Sequence, residues 1–436
     1  MIIYNRENRW FLPNLVKQVV ALVALVLFAV IPARSESFFN RKVKAIDITG
    51  NKRTKNRVIL EEMTFRIGDV ISERDLELSR QNIMNLELFS DVTLNTVQEE
   101  EEGEVRVAVR LKEKWAILPL PVVSRNSDGD IKLGLQYEDF NLGGRAHYLK
   151  IRYYKKWAND ADDKLGSYYS ARWTAKNFLR RDIIFEPRFK KGSELYETYE
   201  DGQVVSKYKI KNKYYSLNLS KDYGNHSFGA VYSYGNSEYT YLEGIIEEHE
   251  NTKTRAISLF AGVGKVNNLG HYLFEGSRLN LSVAYSHGTL GASTNSVTYT
   301  AGISHFIPID GKNVALRLLA GYGSGGGEEG VLIGTGGSTS IRGYERGEFQ
   351  GNRMIQLNSE YRFPITDKYW GGVLFLDGGN AWKRGASVDV GDINWSAGLG
   401  LRLFVKKLVK GVGRADLAYN MERDEFKAYL GVRHTF

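Results

Sequence analysis

The chain of 436 residues contains no cysteine. That removes disulfide frameworks, thiolate nucleophiles and cysteine-held metals, and leaves the cellular compartment open. Histidine is scarce at seven residues, far apart and without an HExxH pair, so neither a metal nor a cofactor has support in the sequence. Long apolar runs are absent beyond the N-terminal leader, and a mean hydropathy of −0.34 argues against a helical membrane protein. No basic tract exists either. The net charge of +8 is spread among acids, which gives nucleic acid no footing as a partner. Proline is low at seven, whereas glycine (45) and tyrosine (26) are abundant.

The leader carries Arg6, Arg9 and Lys17, then thirteen apolar residues (19–31), then Ala33-Arg34-Ser35. As a helix that run reaches about 20 Å, short of the ~30 Å hydrocarbon core of a bilayer. A basic region, a short apolar region and small residues at the cleavage site mark residues 1–35 as a secretory signal peptide. An N-terminal anchor helix is the alternative.

Residues 40–114 read as a small α+β domain of order β-α-α-β-β. Val43, Ala45, Ile46 and Ile48 form a first strand closed by Gly50-Asn51, and Thr54 is placed to cap a short helix. Ser72 and Asp75 have capping-box spacing before a second helix. Two strands follow, the last with Val105, Val107, Val109 and Leu111 on one face, joined by the acidic turn 99–103. With its Ile48-Thr49-Gly50-Asn51 and Leu88-Phe89-Ser90-Asp91-Val92 segments, the domain resembles a POTRA module, which docks polypeptides in the periplasm.

From Trp115 to Phe436 the apolar period is two almost throughout. Leu279, Leu281, Val283 and Tyr285 alternate with polar residues, as do Ile355, Leu357 and Tyr361. The last segment puts Phe426, Ala428, Leu430, Val432 and Phe436 on one face. A soluble sandwich or propeller would alternate in the same way. No helices are available to cover such sheets, however, and the second face is strongly charged. Tyrosine and tryptophan also gather near strand ends, as at Tyr153-Tyr154, Tyr168-Tyr169 and Tyr369-Trp370. In lipid a closed barrel pairs every backbone group without helices. The expectation is an all-β transmembrane barrel of about 16 antiparallel strands over residues 115–436, since bacterial barrels take even numbers.

A glycine-rich loop, 323–351, interrupts the alternation and carries one arginine in Ile341-Arg342-Gly343-Tyr344. On the segment 372–379 the pleat puts Val373, Phe375 and Asp377 on one face and Leu374 and Leu376 on the other. Leucines facing lipid leave Asp377 facing the lumen, and Glu360 follows by the same argument. A half-buried carboxylate calls for a cation, which Arg342 folded inward would supply as a two-pronged pair. Gly343 would permit close approach, and Tyr344 would pack and hydrogen-bond.

Ile341-Arg342-Gly343-Tyr344, the segment 360–364, Phe375 to Gly379, Asn141-Leu142-Gly143-Gly144 and terminal Phe436 together resemble the BamA/TamA-type outer-membrane assembly and two-partner-secretion superfamily. The resemblance implies a sixteen-stranded barrel whose loop after strand eleven enters the lumen, its arginine bonded to the aspartate. It also implies Phe436 as an assembly signal and a non-enzymatic role in inserting or translocating unfolded polypeptides, without nucleotide or metal. Outer-membrane lipid and periplasmic accessory proteins would be its other partners. A single POTRA unit departs from the family's usual two or more. The rival expectation is a passive pore. Gly321 to Gly326 matches GxGxxG but opens no helix, and residues 247–250 (Glu-Glu-His-Glu) read as an exposed loop. Near residues 118–123, Pro119 and Pro121 would weaken a seam between first and last strands.

Overall fold

The computed structural model describes residues 41–436 except 100–102, 126–130, 158–165, 179–181, 201–202, 245–250, 271, 327–330 and 367–368. The leader, the tip of the acidic turn and residues 247–250 therefore lie outside the described residues.

The small domain runs β1 (Arg41–Thr49), α1 (Asn56–Glu61), β2 (Val70–Ile71), α2 (Glu73–Asn85), β3 (Phe89–Gln98) and β4 (Glu104–Glu113). Its sheet order is β2-β1-β4-β3, with β1 and β4 parallel. The alternation of β4 drives Val105, Val107 and Val109 into a core with Val43, Ile59, Ile83 and Phe89. α2 starts on a capping box: Ser72 Oγ accepts from Asp75 N–H, and the Asp75 carboxylate accepts from Ser72 N–H. Two expectations differ from the structure. β2 is an added two-residue strand, too short to show a period. Thr54 does not cap α1, which starts after Lys55 without a side-chain cap. Its hydroxyl donates to Glu113 Oε1 at 2.6 Å instead.

Sixteen further strands form one antiparallel sheet in which sequence neighbours pair. They are β5 (Ile117–Arg125), β6 (Ile131–Leu142), β7 (His147–Trp157), β8 (Gly166–Phe178), β9 (Ile183–Glu200), β10 (Gln203–Tyr223), β11 (His226–Gly244), β12 (Thr252–Asn268), β13 (Phe274–Ser286), β14 (Ser296–Ile309) and β15 (Lys312–Gly325). After a hairpin of β16 (Ile333–Thr335) and β17 (Phe349–Gly351) come β18 (Arg353–Pro364), β19 (Trp370–Trp382), β20 (Asn394–Phe404), β21 (Val412–Asn420) and β22 (Glu425–Val432). Among the described residues no helix is long and apolar enough to cross a membrane. Outward side chains such as Leu374, Leu376, Leu399 and Leu401 are exposed, while the intervening Val373, Phe375, Asp377 and Arg402 are buried. That inversion, with polar groups inside and leucine outside, is the mark of a barrel solvated by lipid. β15 continues to Gly325, so the loop begins three residues later than expected, and most of the GxGxxG match is strand.

The end of the chain corrects the sequence reading. β22 stops at Val432, and Arg433 takes a left-handed φ of 71°. Residues 434–436 turn inward, so Phe436 leaves the face of Phe426 and Leu430. Its ring lies against Phe306 at 6.3 Å, and its main-chain oxygen accepts from Arg362 Nη2 at 3.0 Å. Among the described residues no ladder joins β22 to β5. The two ends meet differently at the small-domain side. Trp115 N–H donates to Lys407 O at 2.7 Å, Val409 N–H donates to Trp115 O at 2.9 Å, and Arg433 pairs with Glu138 of β6.

Candidate functional site

Residues 331–352 fold back into the barrel, and the β16–β17 hairpin fixes the loop's base. Positive φ at Gly336 (113°) and Gly337 (104°) turns the chain sharply before the arginine, a geometry that side chains with a Cβ rarely adopt. Ile341, Arg342 and Tyr344 are all buried, Arg342 completely.

Arg342 grips Asp377 with both prongs: Nε to Oδ2 at 2.6 Å and Nη2 to Oδ1 at 3.0 Å. Its own backbone N–H reaches the same carboxylate at 3.2 Å. Nη1 turns to Glu360 Oε1 at 2.9 Å, to Asp416 Oδ2 at 3.4 Å and to Thr435 Oγ1 at 3.1 Å. The guanidinium lies flat on Phe375, its carbon 3.5 Å from the ring centroid. A cation stacked on one side and forked on its edge has little freedom left, which suits arginine and not lysine.

Each neighbour has a reason to be where it is. β18 pairs with β19 so that Asn358 faces Asp377 and Glu360 faces Phe375. Asn358 Nδ2 donates to Asp377 Oδ1 at 2.8 Å and also to Ser340 O at 2.6 Å, tying wall to loop. Gly379 makes room: a Cβ there would stand 2.8 Å from the tip of Ile341 and 2.5 Å from Ile355 O. Gly343, at φ 95°, donates its N–H to the Tyr429 hydroxyl at 2.9 Å. Tyr344 donates its hydroxyl to Trp395 O at 3.2 Å and packs on Phe349. The structure thus brings Ile341, Arg342, Gly343, Tyr344, Glu360, Phe375, Asp377 and Gly379 into one cluster. Phe436 borders it through Arg362.

Sequence reasoning missed the outer part of this cluster. Glu360 is also paired with Arg362 at 2.8 Å, and Asp416 with Arg402 at 2.5 Å. Arg414 donates to Thr435 Oγ1 at 2.8 Å. Alternation gives only the direction of Arg414, Asp416 and Asn420, which share the inward face of β21 with Val412 and Ala418, and not their partners. The cluster holds no nucleophile beside a base, and its arrangement serves to hold a loop, a wall and the chain's last residues together.

The small domain is tied to the barrel through Asn141-Leu142-Gly143-Gly144. Asn141 Nδ2 donates to Thr54 Oγ1 at 2.8 Å and to Glu113 Oε1 at 3.2 Å. Lys55 N–H donates to Gly144 O at 2.9 Å. From the other side, α2 meets the end of β12: Asn268 N–H donates to Asn85 Oδ1 at 3.0 Å and Lys265 Nζ to Asn82 Oδ1 at 2.8 Å.

A barrel of this strand number, with a loop arginine forked onto an inner-wall aspartate, can be compared directly with known proteins. Residues 139–408 match the Omp85 superfamily domain, and residues 41–114 match the POTRA family described as a surface antigen variable number repeat. The chain belongs to the Omp85 superfamily. It is 31% identical over 123 residues to the outer membrane protein assembly factor BamA of Nitratidesulfovibrio vulgaris, covering 28% of this chain and 15% of that protein. A Treponema pallidum protein is 29% identical over 133 residues, which cover 26% of this chain and 16% of that one. The matched stretch is therefore a small part of the curated relatives. Among solved structures, CdiB from Escherichia coli superposes with a TM-score of 0.62 at 15% identity, covering 91% of this chain and 75% of that one. BamA from Haemophilus ducreyi lacking POTRA domains 1–3 gives 0.52 at 16% identity, with 89% and 83% covered. These likenesses establish the fold. As an Omp85 barrel the sixteen strands lie in the outer membrane and the POTRA domain lies in the periplasm, so the end of the barrel away from that domain faces outside.

Proposed function

We propose that this Omp85 protein helps other polypeptides to insert into the outer membrane or to cross it, with the POTRA domain docking the client and the barrel lowering the local barrier. Residues 1–35 direct its export, residues 40–114 receive the client and residues 115–436 act on it. The client is an unfolded outer-membrane or secreted polypeptide, and periplasmic accessory proteins deliver it. The role requires no covalent chemistry.

One observation carries the reading: a single buried guanidinium, Arg342, is shared by the loop, by the wall acids Asp377, Glu360 and Asp416, and by Thr435, three residues beyond the end of β22. Through that contact the lumen loop is coupled to the strand edge that has no ladder partner among the described residues. A client strand meeting that edge would find backbone groups free to pair. Ile341, Gly343, Tyr344, Phe375 and Gly379 position the arginine. Phe436 serves as an assembly signal on the unfolded chain, before it folds into the lumen.

The test is crosslinking in cells from Val70 in the POTRA domain and from β5 and β22, with identification of what is captured. Nascent outer-membrane or secreted polypeptides are expected at all three places. Failure to capture any, together with conductance unchanged after deletion of residues 36–114, would establish a passive pore instead.

A further inference from the structure

On the outer wall between β8 and β12, midway along the long strands β9 and β10, the sheet aligns lysines that the proposed function leaves unused. Cross-strand register sets Tyr169 opposite Lys191, Lys191 opposite Lys213, Lys213 opposite Asn236 and Asn236 opposite Lys253. One pleat further out, Lys211 stands between Ser193 and Glu238. Lys191, Lys211, Lys213 and Lys253 are all exposed and share the outward face with Tyr215, Leu217 and Leu219.

This arrangement is electrostatically uncomfortable as it stands. Residues directly opposite on neighbouring strands have Cβ atoms ~5 Å apart, and like charges there repel. Glu238 adjoins Lys211, but among the described residues neither Lys191 nor Lys213 has an acidic partner. Lys213 Nζ lies 5.7 Å from the centre of the Tyr215 ring. An anion between the two exposed ammonium groups would relieve that repulsion.

Height along the barrel identifies the anion's source. Immediately below the lysines, Phe189, Tyr215 and Tyr234 form an aromatic row with ring centres 5.1 and 6.2 Å apart, and Leu217 and Leu219 follow. Tyr223, stacked on Phe228, marks the other end of the same strand. The ten residue steps from Lys213 to Tyr223, at ~3.3 Å each and tilted by ~40°, span about 25 Å, the height of the apolar band of such barrels. The lysines therefore stand at headgroup level in the outer leaflet, directly above the aromatic belt.

We propose that Lys191, Lys213 and Lys211, with Asn236 and Lys253 beside them, bind the phosphate-bearing headgroup of an anionic outer-leaflet lipid. The row Phe189, Tyr215 and Tyr234 seats the start of its acyl chains. Ammonium groups suit this task because phosphate can be met as a point charge from several directions.

The full chain is reconstituted in nanodiscs of phosphatidylcholine with phosphatidic acid as the phosphate-monoester probe, and protein-bound lipid is counted by native mass spectrometry. Wild type should retain phosphatidic acid in preference to phosphatidylcholine. Lys191→Gln with Lys213→Gln should weaken that retention about thirtyfold, as expected for losing two charge contacts at a membrane surface. Lys191→Arg with Lys213→Arg should keep it, and Lys407→Gln at the periplasmic side should leave it unchanged. Heat-modifiable migration shows that each variant is folded, and the single Lys191→Gln variant is read should the double fail. Equal retention in the glutamine variants, or no preference in wild type, overturns the site. Release of the lipid by an equal concentration of inorganic phosphate would assign the lysines to a soluble anion and overturn the lipid proposal.

Discussion

Among the described residues, Arg342 makes the only ion pair of Asp377, whereas Glu360 and Asp416 each also meet other guanidinium groups. Removing this arginine therefore strands one carboxylate and not three. Arg342→Ala should cost about 3–5 kcal/mol, the usual penalty for orphaning a buried charge. Arg342→Lys, which keeps the charge and loses the fork, should fall between. The measurement is loss of the compact heat-modifiable form in a urea titration. Arg342→Met with Asp377→Leu separates stability from function: the barrel regains most of its resistance, while client insertion stays low if the shared contact is functional. Full recovery of both would mean that the pair only stabilises. Gly379→Ala is a second case, because the added methyl would press on Ile341 and on Ile355 O. We expect a loss of about 1–3 kcal/mol from overpacking and higher protease sensitivity at residues 341–344. Arg342 and Asp377 were legible because a lone arginine in a glycine-rich loop and a carboxylate on the polar side of a pleat both stand out. Arg402, Arg414 and Thr435 were not, since alternation tells which way a side chain faces and never which charges meet across the lumen. Strand register and the inward turn at Arg433 decide that.

Elements show the same division. Strand number and facing follow from the period-two pattern, which lipid and polar lumen enforce on every strand alike. Ends of elements depend on partners far along the chain. Thr54 has the chemistry of a helix cap, but Glu113, fifty-nine positions later, takes its hydroxyl, and Asn141 of the barrel donates to it in turn. The alternation likewise runs through His434 to Phe436 without a break, so only the left-handed Arg433 reveals that β22 has ended. The turn 141–144 is consequently a joint between two domains, although its sequence reads as a simple glycine turn. At Gly144 φ is 71°, and a Cβ would meet Arg53 O at 2.2 Å. Gly144→Val should therefore loosen the POTRA domain from the barrel mouth without unfolding either. Limited proteolysis should cut between residues 113 and 117 faster than in wild type, with the barrel's heat-modifiable migration unchanged. An unaltered cleavage rate would show that the α2 contacts alone hold the domain.

For the molecule as a whole, the seating of the POTRA domain on the barrel should respond to pH through Glu62. Glu62, just after α1, is half-buried and lies within electrostatic range of Lys176, Lys265 and Asp222 of the barrel. Burial raises its carboxyl above the ordinary value of 4.5, with Glu61 and Asp222 acting in the same direction and Lys176 and Lys265 opposing. Lys176, Lys265 and Asp222 belong to the barrel, so Glu62 senses the docked arrangement, and the direction of the prediction rests on burial outweighing the two lysines. A raised carboxyl in the docked state means that this state holds the proton more tightly than the undocked one. The resulting stabilisation is complete below the undocked value of 4.5 and is lost as pH rises through the docked value. Docking should thus weaken from about pH 4.5 upward until Glu62 is fully ionised, and then stay level. Glu62→Gln, which stays neutral and fills the same space, should remove this slope and hold the domain closer at neutral pH. Hydrogen exchange of α1 and of the turn 141–144, followed across that pH range and corrected for intrinsic rates, reads the effect directly. Wild-type protection that does not change with pH, or a Glu62→Gln variant whose slope matches wild type, would show that the domain is held by its neutral hydrogen bonds alone. The edge strand β2 is already exposed at Val70 in the docked arrangement, so the same titration, repeated with a crosslinker at Val70, asks whether the position of the domain, and not the exposure of its edge, governs capture of the client.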